Sequence, residues 1–276
     1  MPDLSKQLNL IYFFNLLFFG SCSRAPVISH KSFHNTYTQE YYKMGVLKAQ
    51  DGCSGRIRND KNAPIDFTKK SVAKAFAMGA DYVEIDTRLT KDNIPVVTHD
   101  LYLDCLTNLQ GKISDYTYSE LKNKLAPNHR VEFVNQRGSF PFLNKGIGDL
   151  MSLEELLESF PAGQFLINPK DKTKKEVEVY IEIFKKVKPR SIMIWGPEKL
   201  HKYLKENHPW VGNFILNHHQ SEPCLRAYRS WKAGTPFPKI CYNISLSVSF
   251  NNVDKLSGWP DSFIKKMHDV GSRVYF

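Results

Sequence analysis

From Val46 onward, short apolar runs with strand character alternate with segments in which apolar residues recur at helical spacing. The runs Val46–Gln50, Tyr82–Leu89, Gln164–Pro169, Ser191–Trp195, Asn213–Leu216, Lys239–Leu246 and Arg273–Phe276 predict strands. Pro95–Thr98 adds a short extra one. Between them, Phe67–Met78, Leu153–Phe160, Lys175–Val187, Glu198–Asn207, Pro223–Lys232 and Asp261–Val270 predict helices, with Pro209, Gly234 and Gly271 marking their ends. This is the rhythm of a parallel sheet, and its fold class is α/β. Residues 101–151 break the rhythm and read as an insertion after the second strand. Seven main strands are one short of a (β/α)8 TIM-type barrel: either an earlier strand closes the ring, or it stays open at the C-terminus.

In an extended chain alternate residues face the same way, so Glu84 and Asp86 project together from the second strand. Like charges at that spacing repel unless a cation offsets them. Pro95–Thr98 then delivers His99 and Asp100 where a strand gives way to a loop. Two carboxylates beside an imidazole point to a hard cation next to an acid or base.

Composition narrows the partners. A chain of 276 residues with 42 % hydrophobic content can bury one large core, and no Gly/Ser or Pro-rich linker divides it. The net charge of +10 favours anionic partners such as phosphate esters or an acidic membrane surface. Much of it falls on Lys172–Lys175 and Lys185–Lys188, which read as solvated helix faces. No helix-turn-helix, zinc finger or aromatic RNA-binding motif gives it a nucleic-acid address. His218 and His219, read in an extended segment, would face opposite ways and share no ion. Trp195, Trp210, Trp231 and Trp259 read as packing or rim residues rather than a stacking platform, and any of them could touch a lipid headgroup.

The N-terminal stretch has its own character. Leu8–Gly20 is a largely apolar run, too short to span a bilayer, and it reads as the core of a secretory signal. Phe19-Gly20-Ser21-Cys22 after it resembles the cleavage box of bacterial lipoproteins, whose cysteine is lipidated. The expected layout is therefore a signal segment over 1–22, a linker over 23–45 and a barrel over 46–276, in an exported, periplasmic or membrane-anchored protein. Export permits disulfides; of the remaining cysteines Cys53, Cys105, Cys224 and Cys241, the pair Cys53 and Cys105 follows predicted strands on the site side and could bridge, with free thiols as the equal alternative.

Glu84-Ile85-Asp86, Leu89-Thr90-Lys91-Asp92, Pro95-Val96-Val97 and His99-Asp100 together resemble the signature block of the glycerophosphodiester phosphodiesterases. The resemblance continues through Leu103-Asp104-Cys105, Gly111-Lys112, Phe140-Pro141-Phe142, Ser152–Leu157, Phe165–Lys170 and Gly258-Trp259-Pro260. It implies a divalent cation, Ca²⁺ or Mg²⁺, held by Glu84, Asp86 and a third ligand that falls on Asn168. Lys170 would face the phosphate, and His99 would be the second of two acid–base histidines. The first, which follows strand one in a His-Arg-Gly pattern, aligns with Gln50-Asp51-Gly52, so Gln50 occupies the imidazole position and Asp51 that of a phosphate-facing arginine. An amide carries no proton on and off near neutral pH. The resemblance thus implies metal-dependent hydrolysis of a small-molecule glycerophosphodiester to glycerol 3-phosphate and an alcohol, or, on the strength of Gln50, an impaired member that binds phosphodiesters or acts as a scaffold. His30 and His34, ahead of the expected first strand, read as linker histidines, with replacement of the lost imidazole as the other possibility.

Overall fold

The computed structural model describes residues 26–29, 32, 67–99, 101–103, 109–125, 150–211, 213–216, 218–248 and 250–275. Their sheet holds seven parallel strands: β1 (Ile28–Ser29), β2 (Tyr82–Leu89), β4 (Gln164–Pro169), β5 (Ser191–Gly196), β6 (Asn213–Leu216), β7 (Ser245–Ser247) and β8 (Arg273–Tyr275), hydrogen-bonded in that order. The short strand β3 (Pro95–Val97) doubles back antiparallel on β2, pairing Val97 with Thr87. The described α-helices are α1 (Lys69–Ala77), α2 (Tyr118–Leu125), α3 (Leu153–Ser159), α4 (Lys174–Val187), α5 (Glu198–Asn207), α6 (His218–Ser230) and α7 (Asp261–Asp269).

Strand periodicity explains how the sheet is dressed. Val83 and Ile85 of β2, Phe165 and Ile167 of β4 and Ile194 of β5 join one apolar core with Val72, Leu153, Leu156, Val177 and Ile181 of the covering helices. The alternate positions Tyr82, Leu166, Met193, Trp195, Ile215 and Tyr275 form a second cluster with Ile28, drawn from six strands at once. Side chains of both end strands meet only if the sheet curls round on itself. The Tyr82 and Tyr275 rings, from β2 and β8, lie edge to face with centroids 6.2 Å apart. The architecture is thus a nearly closed α/β barrel. Local signals set the helix starts. Thr68 and Thr173 each accept from the backbone N–H three residues on, and Ser152 and Glu155 form a reciprocal capping box.

The expected strands over 82–89, 164–169, 191–195, 213–216 and 273–276 are all present to within a residue. Elsewhere the structure differs. Among the described residues the first parallel strand is Ile28–Ser29, inside the expected linker, where Ile28 pairs with Tyr82 and Ser29 with Val83. Two residues are too few to register as a periodic run. The expected strand Val46–Gln50 lies outside the described residues, as do Asp51, Asp100, Cys53, Cys105 and residues 1–25. Lys239–Cys241 forms a 3₁₀ turn instead of the start of a strand, and β7 begins only at Ser245. His218 and His219 open α6 instead of sitting in extended chain, and Pro223 lies inside that helix. Cys224 and Cys241 are disulfide-bonded, a pair that the spacing did not single out.

Candidate active site

Glu84 and Asp86 stand on the inner face of β2, both fully buried. Asn168 is their counterpart on β4, directly in register with Asp86. Its amide Nδ2 donates to Asp86 Oδ1 at 2.8 Å and to Glu84 Oε1 at 3.1 Å. Two residues further, past the end of β4, Lys170 Nζ approaches Asp86 Oδ1 to 2.8 Å. The four side chains expected to cooperate therefore converge at the C-terminal ends of neighbouring parallel strands, the end where barrel enzymes keep their chemistry.

His99 reaches the same region through β3. The Thr98 N–H donates to the Asp86 carbonyl at 3.0 Å, so the hairpin folds the chain back over the metal-type pair. The imidazole is close enough to Asp86 to act electrostatically on its carboxyl. Burial, with the Glu84 charge adding to it, pushes that carboxyl up to about 6, while Lys170 and His99 pull it down. Asp86 Oδ2 is buried and has no hydrogen-bond partner. A buried carboxylate oxygen without a donor is costly unless something positive meets it. Two acidic side chains and an amide oxygen form a hard-oxygen donor set, so the residues present fit a divalent cation. A half-turn of the Asn168 amide would present its oxygen to the same point. Among the described residues no group of three His, Cys, Asp or Glu side chains could hold a metal ion, and the Asn168 amide stands as a third oxygen donor beside the two carboxylates.

Supporting residues went unnoticed in the sequence. Arg88 donates from Nε to the His99 carbonyl at 2.9 Å and pairs through Nη1 with Asp171 at 3.2 Å. Asp171 Oδ2 in turn accepts from the Leu89 N–H at 3.0 Å. The pair locks the loop after β4 to the hairpin that carries His99. Its only sequence signal is alternation: Arg88 continues the inward series 84, 86, 88. Trp195, read as a packing or rim residue, belongs to the inner cluster, with its indole N–H buried and without a partner. Behind the site, Thr87 faces outward and meets Tyr180, whose hydroxyl donates to Glu176 Oε1 at 2.6 Å.

Barrel, inner-face carboxylates and hairpin histidine thus meet at one end of the sheet. Residues 52–208 match the sequence model of the Glycerophosphoryl diester phosphodiesterase family, and the chain belongs to that family. It is 29 % identical over 164 residues to bovine glycerophosphodiester phosphodiesterase 1, a match covering 58 % of this chain and 47 % of that one. It is 23 % identical over 142 residues to mouse lysophospholipase D GDPD3, covering 51 % and 42 %. The aligned region thus spans less than half the length of these two relatives. Its fold is similar to the crystal structure of a glycerophosphodiester phosphodiesterase from Agrobacterium tumefaciens, with a TM-score of 0.54 at 15 % identity over 91 % of this chain and 85 % of that one. An Oleispira antarctica phosphodiesterase in complex with the product sn-glycerol-3-phosphate is similar at a TM-score of 0.52 and 18 % identity, covering 91 % and 83 %.

Proposed function

We propose that this chain hydrolyses glycerophosphodiesters to glycerol 3-phosphate and an alcohol with the help of a divalent cation, Ca²⁺ or Mg²⁺. The observation that carries the reading is the convergence of Glu84, Asp86, Asn168 and Lys170 around a buried, unpartnered carboxylate oxygen. A bound cation would offset negative charge on the phosphoryl oxygens. Glu84, Asp86 and Asn168 would hold it. Lys170, attached to Asp86 and partly exposed, would turn part of its charge to the phosphate. His99, on its stapled hairpin, would deliver a proton to the leaving alkoxide.

The location of β1 supports another candidate for the second acid–base role. The family's first histidine follows strand one; the first strand among the described residues is Ile28–Ser29, and the residue directly after it is His30. The neighbours Ser29 and Ser32 are held against β2: Ser29 pairs with Val83, and the Ser32 N–H donates to the Glu84 carbonyl at 3.0 Å. We assign the base role to His30, with Lys31 in the arginine position, in place of Gln50 and Asp51. With an imidazole available, the case for an impaired binding protein or scaffold loses its main support. The assay is release of glycerol 3-phosphate from glycerophosphocholine with and without chelator. His30→Ala and His99→Ala should each cost about 10²- to 10⁴-fold, whereas Gln50→Ala should leave the rate near its starting value. Absence of turnover in the parent with a gain in Gln50→His would establish the impaired reading instead.

The Cys224–Cys241 disulfide supports placing the protein outside the cytoplasm, as an exported or Cys22-tethered bacterial lipoprotein. No described helix is long and apolar enough to cross a membrane.

A further inference from the structure

Large apolar side chains are exposed mainly on one side of the barrel. Met78, Trp210, Ile240 and Tyr242 are 68 %, 54 %, 55 % and 43 % exposed, and each lies in a segment that leads from a helix into the following strand. In a parallel barrel all such segments share the rim at the N-terminal ends of the strands, opposite the active site. Only Tyr102, among the large apolar residues seen to be exposed, lies on the other side.

The same rim is basic. Between α4 and β5, next to the turn before β6, an open groove of about 640 Å³ is lined by Lys185, Lys188, Arg190 and Trp210 over Phe184 and Val211, with no acidic side chain in its wall. Lys188, in the left-handed conformation with φ 51°, ends α4 and turns the chain into Pro189 and Arg190. Lys188 and Arg190 are exposed and pair with no carboxylate among the described residues, while Lys185 meets Glu182 at 2.7 Å. Among the described residues the acidic side chains at this rim are Glu158 and Glu206 in the last turns of α3 and α5, Asp81, whose Oδ2 accepts from the Val27 N–H at 2.8 Å, and Asp269, which pairs with Lys265. That Val27 contact also fixes where the N-terminal chain enters: at this rim, with the apolar run Leu8–Gly20 upstream.

We propose that the N-terminal rim, centred on Trp210, Lys188 and Arg190, is an interfacial surface that seats the barrel on an acidic lipid bilayer and leaves the active site facing away from it. An amphipathic indole belongs at the headgroup level, and unpaired cations around it are attracted by the negative surface potential. Charge complementarity and the entry point of the chain both select a bilayer over a neutral protein partner. The orientation suits a water-soluble substrate arriving from bulk solvent.

The test is sedimentation of the full chain with phosphatidylglycerol-rich vesicles and with pure phosphatidylcholine vesicles, which reads binding without turnover and so stands apart from the hydrolytic assignment. Binding should require the acidic lipid, weaken as salt rises, and fall on the order of tenfold in Lys188→Glu/Arg190→Glu. Trp210→Ala should weaken it too, and the blue shift of indole fluorescence on vesicle addition should vanish in Trp210→Phe. Each variant's thermal melt reports whether it folds. Unchanged vesicle affinity in folded Lys188→Glu/Arg190→Glu and Trp210→Ala would overturn the proposal. So would a dimer in sedimentation equilibrium that Trp210→Ala disperses, since a second copy would then be the occupant.

Discussion

The Arg88 guanidinium donates to the backbone carbonyl of His99 at 2.9 Å while its other arm grips Asp171. One side chain therefore sets the height of the hairpin that carries the histidine and the path of the loop that carries Lys170. Misplacing a reacting group by about 1 Å can cost on the order of 10²-fold in rate. Arg88→Ala should lower kcat on glycerophosphocholine by about 10- to 100-fold with a smaller change in KM. Arg88→Lys, which restores charge but not the two-directional fork, should recover only part of it. Steady-state kinetics on the folded variants checks this; equal losses in kcat and global stability would mark Arg88 as merely structural.

A second buried carboxyl titrates behind the site. Burial pushes Glu176 up to about 7, against the Tyr180 hydroxyl, which pulls it down. A carboxyl whose folded pKa lies above its unfolded value contributes stability below the unfolded value, near 4.5, and loses that contribution as pH rises through about 7. Stability to urea should therefore decline between pH 5 and pH 8, with Glu176 responsible for at most about 3 kcal/mol. Glu176→Gln should flatten the profile over that window, because the neutral amide keeps a hydrogen-bonding oxygen without the charge. A profile as steep in the variant as in the parent would show that Glu176 is ionised at little cost.

The disulfide joins α6 to the turn before β7 across 17 residues. On the loop-entropy account a bridge of about that span contributes about 3 kcal/mol by restricting the unfolded chain. Cys224→Ser/Cys241→Ser should lower the denaturation midpoint accordingly and leave the kinetics of the site on β2 and β4 unchanged. Reduction of the parent with dithiothreitol should reproduce the shift. A midpoint insensitive to both would mean that the bridge does not form in solution.

What the sequence disclosed follows from signal length. Five strands of three to eight residues lined with β-branched and aromatic side chains were readable from their apolar runs, and Glu84, Asp86 and His99 stand in or beside such runs. Asn168 and Lys170, at the end of β4, were singled out by the family resemblance and not by periodicity. The first strand was not legible: Ile28–Ser29 has two residues, and only its parallel register with Tyr82 and Val83 identifies it. That short strand is what led us to propose His30 for the acid–base role that the sequence alignment gives to Gln50. Arg88, Asp171 and the Cys224–Cys241 bridge depend on contacts across 17 to 83 residues, which no local pattern encodes.

Calorimetric titration of Ca²⁺ or Mg²⁺ into the full chain, followed by glycerol 3-phosphate release from glycerophosphocholine, measures the convergence of Glu84, Asp86 and Asn168 most directly. One cation per chain should bind, chelator should abolish turnover, and Asp86→Asn should remove both, since it strips the charge from the buried carboxylate. Turnover that persists in chelator, or cation affinity that is intact in Asp86→Asn, would contradict the assignment of these side chains to a metal-dependent phosphodiester site.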